Sequence, residues 1–296
     1  MTPVLHSVSY AGVWPGQARL TLEEFLDKAA ELGFPGVMLM AKRPHLSVLD
    51  YDQAARLRLR ERLEKLGLGC RVIAGYNNFT ADLEHGDVPH REIQIAHVTE
   101  LARAARDLGA GIVRIFTGYE HPALGYAALW QMMTDTLREC ARRAAEVGVT
   151  IGVQNHHDLA AHYESHFDLI GAVGEPNCKA IFDAWAPALH GSDIVKAAQK
   201  MAAVTCHTTA ADYRKRPRFH YRPAVVNYEE QASWVQAVPM GEGFIDYAGF
   251  LGAMRQGGYQ GAVAYEMCSP LLGGGSIENL DRYARRFLEF LSHSSV

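Results

Sequence analysis

The chain is short of cysteine, of long apolar runs and of any glycine-rich phosphate turn. Five of its 296 residues are cysteines, at 70, 140, 178, 206 and 268. No two of them form a C-x-x-C pair, so neither a disulfide framework nor a structural zinc cluster is expected. Reduced thiols in a cytosol are the default, and a cytoplasmic location is the expectation. No stretch approaches the roughly 18 consecutive apolar residues of a membrane span. The start, MTPVLHSVSYAGVW, lacks a basic segment followed by an apolar run, so no signal peptide is expected. Charge of one sign is missing too: 29 Lys and Arg against 33 Asp and Glu give a net −4. That balance argues against nucleic acid or an anionic membrane as partner. No Pro-, Ser- or charge-rich linker divides the chain, which predicts one domain over residues 1–296. HYESH (162–166) has no glutamate in the H-E-x-x-H position, so it gives no zinc-protease signature.

What is present is a repeated punctuation. An amphipathic helix ends in glycine, and an apolar, β-rich run follows: ELGFPGVMLM (31–40), KLGLGCRVIAG (65–75), DLGAGIVRIFTG (107–118), EVGVTIGVQN (146–155) and QGGYQGAVAYE (256–266). Glycine after the last turn supplies a left-handed cap, and the run has the length and branching of a buried parallel strand. In the first helix, Thr21 and Glu24 form a capping-box pattern, and Leu22, Phe25, Leu26 and Ala29 share one face. Eight strands are predicted, near 4–10, 36–40, 69–74, 112–116, 150–154, 179–183, 203–207 and 262–266, with 207–246 mostly irregular. At this length, eight strand–helix alternations predict an α/β fold, a closed (β/α)8 barrel. The rival, a doubly wound open sheet, would place G-x-G-x-x-G after an early strand, and YAGVWPGQARL has none.

In such a barrel the carboxyl ends of the strands converge on one mouth. Gln154, Asp183, His207 and Glu266 end the last four predicted strands. Two carboxylates, an imidazole and an amide oxygen suit a mixed site for Mn²⁺, Mg²⁺, Co²⁺ or Zn²⁺. Taken singly each has a plainer reading: Asp183 a helix cap, Glu266 a salt-bridge partner, His207 a core histidine. Their succession at four strand ends favours the metal.

The blocks IGVQNHHD, IFDAW, CHTTAAD, PMGEGFIDYAGFLGAMRQGGYQGAVAYE and NLDRYARRFLEFL resemble the xylose isomerase-like barrel proteins, often described as sugar phosphate isomerases and epimerases. The resemblance implies one divalent cation, commonly Mn²⁺, held by Glu, Asp, His and Glu at positions that fall on Gln154, Asp183, His207 and Glu266. It implies proton transfer next to a sugar carbonyl through an enediolate. Gln154 departs from that pattern. It removes one negative charge and cannot act as a general base, so symmetric two-glutamate epimerisation is not expected. Strand alternation puts His156 on the side of Gln154, with Asn155 and His157 pointing elsewhere. Glu266 and His156 are therefore the expected acid/base pair, and a one-base lyase acting by β-elimination on a keto-sugar or keto-glycoside is the alternative. A non-catalytic sugar-binding barrel is the non-enzyme reading. Ala186 stands where the family often has histidine; without that D-x-x-H pair, an apurinic-endonuclease type of site is not expected.

The expected partner is a small sugar or sugar derivative. Trp14, His45, Asn77, Trp185 and Arg214 are the candidate substrate contacts. Arg114, mid-strand, needs a partner inside the protein. The long segment after the seventh strand mixes Arg214, Lys215, Arg216, Arg218 and Arg222 with Tyr213, Phe219, His220 and Tyr221. It reads as a lid over an anionic or aromatic group, or as a solvated or subunit-contact loop in a homo-oligomer.

Overall fold

The computed structural model describes residues 1–293. Eight parallel strands close into a barrel: β1 (Thr2–His6), β2 (Gly36–Met40), β3 (Gly69–Ala74), β4 (Ile112–Ile115), β5 (Thr150–Gln154), β6 (Cys178–Ile181), β7 (Thr205–Ala210) and β10 (Ala262–Tyr265). Neighbours follow chain order around the barrel, and β10 pairs with β1 to close it. Around it lie α1 (Leu22–Glu31), α2 (Gln53–Lys65), α3 (His90–Leu108), α4 (Tyr126–Ala145), α5 (Tyr163–Val173), α6 (Trp185–Leu189), α7 (Ile194–Met201), α8 (Tyr247–Gln256) and α9 (Ile277–His293). This is a (β/α)8 TIM barrel in a single domain.

The local chemistry anticipated for α1 is present. The Thr21 hydroxyl accepts from the Glu24 amide and the Glu24 carboxylate accepts from the Thr21 amide at 2.8 Å. Leu22, Phe25, Leu26 and Ala29 are buried. At the end of α3, Gly109 sits at φ 73°, the left-handed cap that the punctuation predicts. Among the described residues no helix is long and apolar enough to cross a membrane.

Three expectations need correction. The first strand ends at His6, and residues 7–10 form a 3-10 turn instead of its continuation. Its serines hold neighbouring strands: Ser7 Oγ accepts from the Met40 amide and Ser9 Oγ from the Met267 amide. The seventh strand starts later than expected and runs three residues past His207, to Ala210, because the β-branched pair Thr208–Thr209 continues the ladder with β10. Most of the segment expected to be irregular is a long antiparallel ribbon, β8 (Asp212–Arg222) paired with β9 (Asn227–Val238). Pro217 cannot donate to a ladder, and it lies at the register shift between Arg216 and Arg218. The ribbon is rooted by Asp212, whose carboxylate accepts from the amides of Tyr213, Gly241 and Gly243, each at 2.9 Å. A Cβ on Gly243 would collide with that carboxylate, which explains the glycine in GEG.

Candidate functional site at the barrel mouth

A cavity of about 260 Å³ opens at the carboxyl ends of the strands. Its polar floor comes from Arg114 on β4, Gln154 on β5, Asp183 just past β6, Thr209 on β7 and Glu266 just past β10. Tyr76, Phe116, Trp185 and Tyr213 add aromatic surface, and Lys42 and His156 stand at its edge.

The floor is one continuous network. Arg114 Nη1 donates to Gln154 Oε1 at 2.8 Å. Gln154 Nε2 donates to Asp183 Oδ2 at 2.9 Å. The reverse amide orientation would set donor against donor and acceptor against acceptor, so these partners fix which way Gln154 points. Asp183 also accepts from the Trp185 amide at 3.0 Å and from the Thr209 hydroxyl at 3.4 Å. Asn155 clamps the backbone of Asp183 on both sides, donating to its carbonyl at 3.0 Å and accepting from its amide at 2.9 Å. Glu266 Oε1 lies 3.7 Å from Arg114 Nη1 and 3.5 Å from His6 Nε2. His6 Nδ1 accepts from the Val8 amide, which leaves the proton on Nε2, toward the glutamate.

Burial sets the charges. It raises the Asp183 carboxyl to about 6, with Gln154 pulling the other way and Glu266 adding to the rise. Burial and then the Arg114 charge hold His6 neutral, well below the usual imidazole range. Desolvation and Arg114 lower His156, against an opposing pull from Glu266. Arg114 itself is 1% exposed. It lies over the rings of Phe116 and Tyr76, 4.3 and 4.7 Å from their centroids. Its Nε and Nη2 make no hydrogen bond of good geometry, although the side chain also interacts with the Tyr76 hydroxyl.

The four residues expected to hold a metal are not brought together. Gln154, Asp183 and Glu266 line the mouth, but His207 does not. It lines a hollow with Thr2, Ile112 and Ala262, which start or lie next to the amino-terminal ends of their strands. The reason is the longer β7: His207 lies inside the strand, and Thr209 takes the mouth position two residues on. Burial and Arg114 push His207 down to about 3. Among the described residues no three His, Cys, Asp or Glu side chains could hold a metal ion together. The rest of the donor set does not fit a divalent cation either. The Gln154 oxygen is engaged by a guanidinium and its amide faces Asp183. A divalent ion about 4 Å from Arg114 would meet about 8 kcal/mol of repulsion at an effective dielectric of about 20.

Other expected contacts divide. His156 reaches the cavity, but so does Asn155, since regular strand geometry stops at Gln154. His157, at φ 64°, turns to Tyr119, whose hydroxyl lies 2.9 Å from its Nε2. Of the five expected substrate contacts, Trp185 lines the cavity and four do not. Trp14 is buried in the core cluster. His45 is buried against Phe25, with Nε2 3.1 Å from the Leu20 carbonyl. Asn77 clamps Phe116, donating to its carbonyl and accepting from its amide. Arg214 is taken up by Gln236 across the ribbon. Tyr213, named in the segment after the seventh strand, lines the cavity, and Tyr76, Phe116 and Thr209 line it unannounced; for Thr209, two residues from His207 on the same strand, the spacing was the available signal.

The family model for the xylose isomerase-like TIM barrel matches residues 26–292. No curated protein matches the chain. Among solved structures, the probable 3-DHS dehydratase AsbF of Bacillus anthracis is 18% identical with TM-score 0.74, covering 99% of each chain. The IolI protein, solved with a zinc atom, is 14% identical with TM-score 0.75, covering 100% of each chain. D-psicose 3-epimerase from Clostridium cellulolyticum H10, solved with D-tagatose, is 16% identical with TM-score 0.74, covering 99% of each. At these identities the likeness is one of fold, and the match of the family model over most of the length places this chain in the xylose isomerase-like TIM barrel family.

Proposed function

We propose that the mouth cavity transfers a proton next to the carbonyl of a small sugar or sugar derivative, the chemistry of a sugar isomerase or epimerase. One observation carries the reading: the Glu266 carboxylate stands in the cavity with a buried guanidinium 3.7 Å away. A carboxylate beside a fixed cation can take a proton from carbon while positive charge stabilises the oxyanion that forms. The aromatic side chains suit the apolar faces of a sugar ring, and the solved epimerase and dehydratase relatives support a substrate of that size. His156 is the second proton carrier. Its Nδ1 accepts from the His157 amide, so its Nε2 bears the proton in the neutral ring.

The pair is chemically unlike, one carboxylate and one imidazole, and Gln154 can carry no proton. That asymmetry favours a second reading, β-elimination, in which Glu266 takes the proton and His156 protonates the departing oxygen. Incubation with ketoses, sugar keto acids and keto-glycosides in D₂O, read by NMR, tests both. Deuterium beside the carbonyl with the skeleton intact supports isomerisation or epimerisation; an unsaturated product supports elimination. Glu266→Gln is expected to lower either rate by about 100-fold or more. Retained exchange in that variant would remove Glu266 from the reaction.

A further inference from the structure

We propose that Arg114 is the resident cation of this mouth, built into the chain where a divalent ion would otherwise bridge Glu266, Gln154 and Asp183, and that its guanidinium takes the substrate's carbonyl or carboxylate oxygen directly. The role in binding substrate rests on the proton-transfer reading; the occupancy of the position does not. Nη1 is spent on Gln154 at 2.8 Å and lies near Glu266 at 3.7 Å. Nε and Nη2, equally buried, make no hydrogen bond of good geometry; the side chain lines the cavity beside Tyr76, with which it also interacts. A buried donor left unmet is costly, and a ligand oxygen is the partner missing from the network. The planar fork of a guanidinium fits two oxygens of one group.

The same arrangement gives Gln154 a reason. A glutamate there would ion-pair with Arg114 and draw its charge away from the substrate. The neutral amide instead accepts from the guanidinium and passes a hydrogen bond on to Asp183. Thr209 completes the exchange: a short hydroxyl on Asp183 leaves room that an imidazole would fill. The substrate class that follows has an oxygen-rich end, a carbonyl or carboxylate, presented to Arg114, with its acidic carbon toward Glu266. Lys42, 4.0 Å over the Tyr76 ring, adds a second positive charge on the same side.

The decisive measurement is a metal count on the full-length protein. After EDTA treatment and dialysis against Mn²⁺ or Zn²⁺, elemental analysis should find substoichiometric metal, and the unfolding temperature should not respond to either ion. Arg114→Ala combined with Gln154→Glu and Thr209→His should bind one equivalent and unfold at a higher temperature with metal than without. One equivalent in the wild type, abolished by Asp183→Asn, would overturn the proposal. If the triple variant does not fold, Gln154→Glu alone carries the test: Arg114 keeps the position and no stoichiometric binding appears, whereas one equivalent there would overturn it. Solvent exchange on an active substrate should persist in the EDTA-treated wild type and fall by about 100-fold in Arg114→Gln. Absence of exchange on every substrate would count against the proton-transfer reading and leave the metal count standing.

Discussion

The barrel mouth and the β8–β9 ribbon stand side by side in the chain and treat polar and apolar groups in opposite ways. At the mouth Arg114 and Asp183 are 1% and 7% exposed, and each charge answers another group. Along the ribbon Phe219, Tyr221 and Tyr228 are 60%, 45% and 68% exposed, while Arg222 pairs with Glu229 in open solvent. A low local dielectric makes the mouth network costly to disturb. On the ribbon water screens the charges, and backbone pairing supplies most of the order.

The sharpest way to break the contrast is Arg114→Ala. It leaves Gln154 Oε1 and the Glu266 carboxylate without their cation, and a loss of about 4 kcal/mol in unfolding free energy is expected, measured by denaturant titration. The pH dependence comes next. The folded pKa of His207 lies near 3, below its ordinary value of 6.5. Its contribution is therefore fully present above pH 6.5 and lost as pH falls toward 3. His207→Gln should flatten the acid side of the stability curve by a few kcal/mol at most, in the order of magnitude set by proton linkage. Asp183, raised to about 6 from 3.8, has the opposite sign: its contribution is present below 3.8 and lost as pH rises through 6. Asp183→Asn should remove that loss between those values. Asn155→Ala deletes both hydrogen bonds to the Asp183 backbone and should cost about 2 kcal/mol, the penalty of leaving buried groups unmet. The smallest effect belongs to the ribbon. Val226 is held at φ 49°, a poor conformation for a β-branched residue. Val226→Asn should stabilise the tip by about 1 kcal/mol, seen as slower proteolysis within the ribbon, with global unfolding unchanged.

Much of the scaffold was readable because its signals are local. Gly109 must adopt a left-handed cap wherever α3 ends, and the Thr21–Glu24 box closes within one turn. The ribbon had a signal too: Arg214, Arg216 and Arg218 alternate at the period of a strand, with Pro217, which cannot donate to a ladder, between the last two. The mouth was legible as a place and misread as a set. Gln154, Asp183 and Glu266 arrive there as strand ends predict. His207 does not, because β7 runs three residues further than expected, which leaves His207 inside the strand and puts Thr209, two residues on, at the mouth.

The sequence by itself determined the alternation of strands and helices, the caps that separate them and the convergence of strand ends on one mouth. These follow from backbone conformation and from periodicity, which act over a few residues. Only the tertiary structure decided that Arg114 on β4 reaches both Gln154 on β5 and the Glu266 carboxylate past β10, and that Thr209 rather than His207 lines the mouth with them. A long side chain can end among groups supplied by strands far apart in sequence, and which groups those are depends on register and on closure of the barrel.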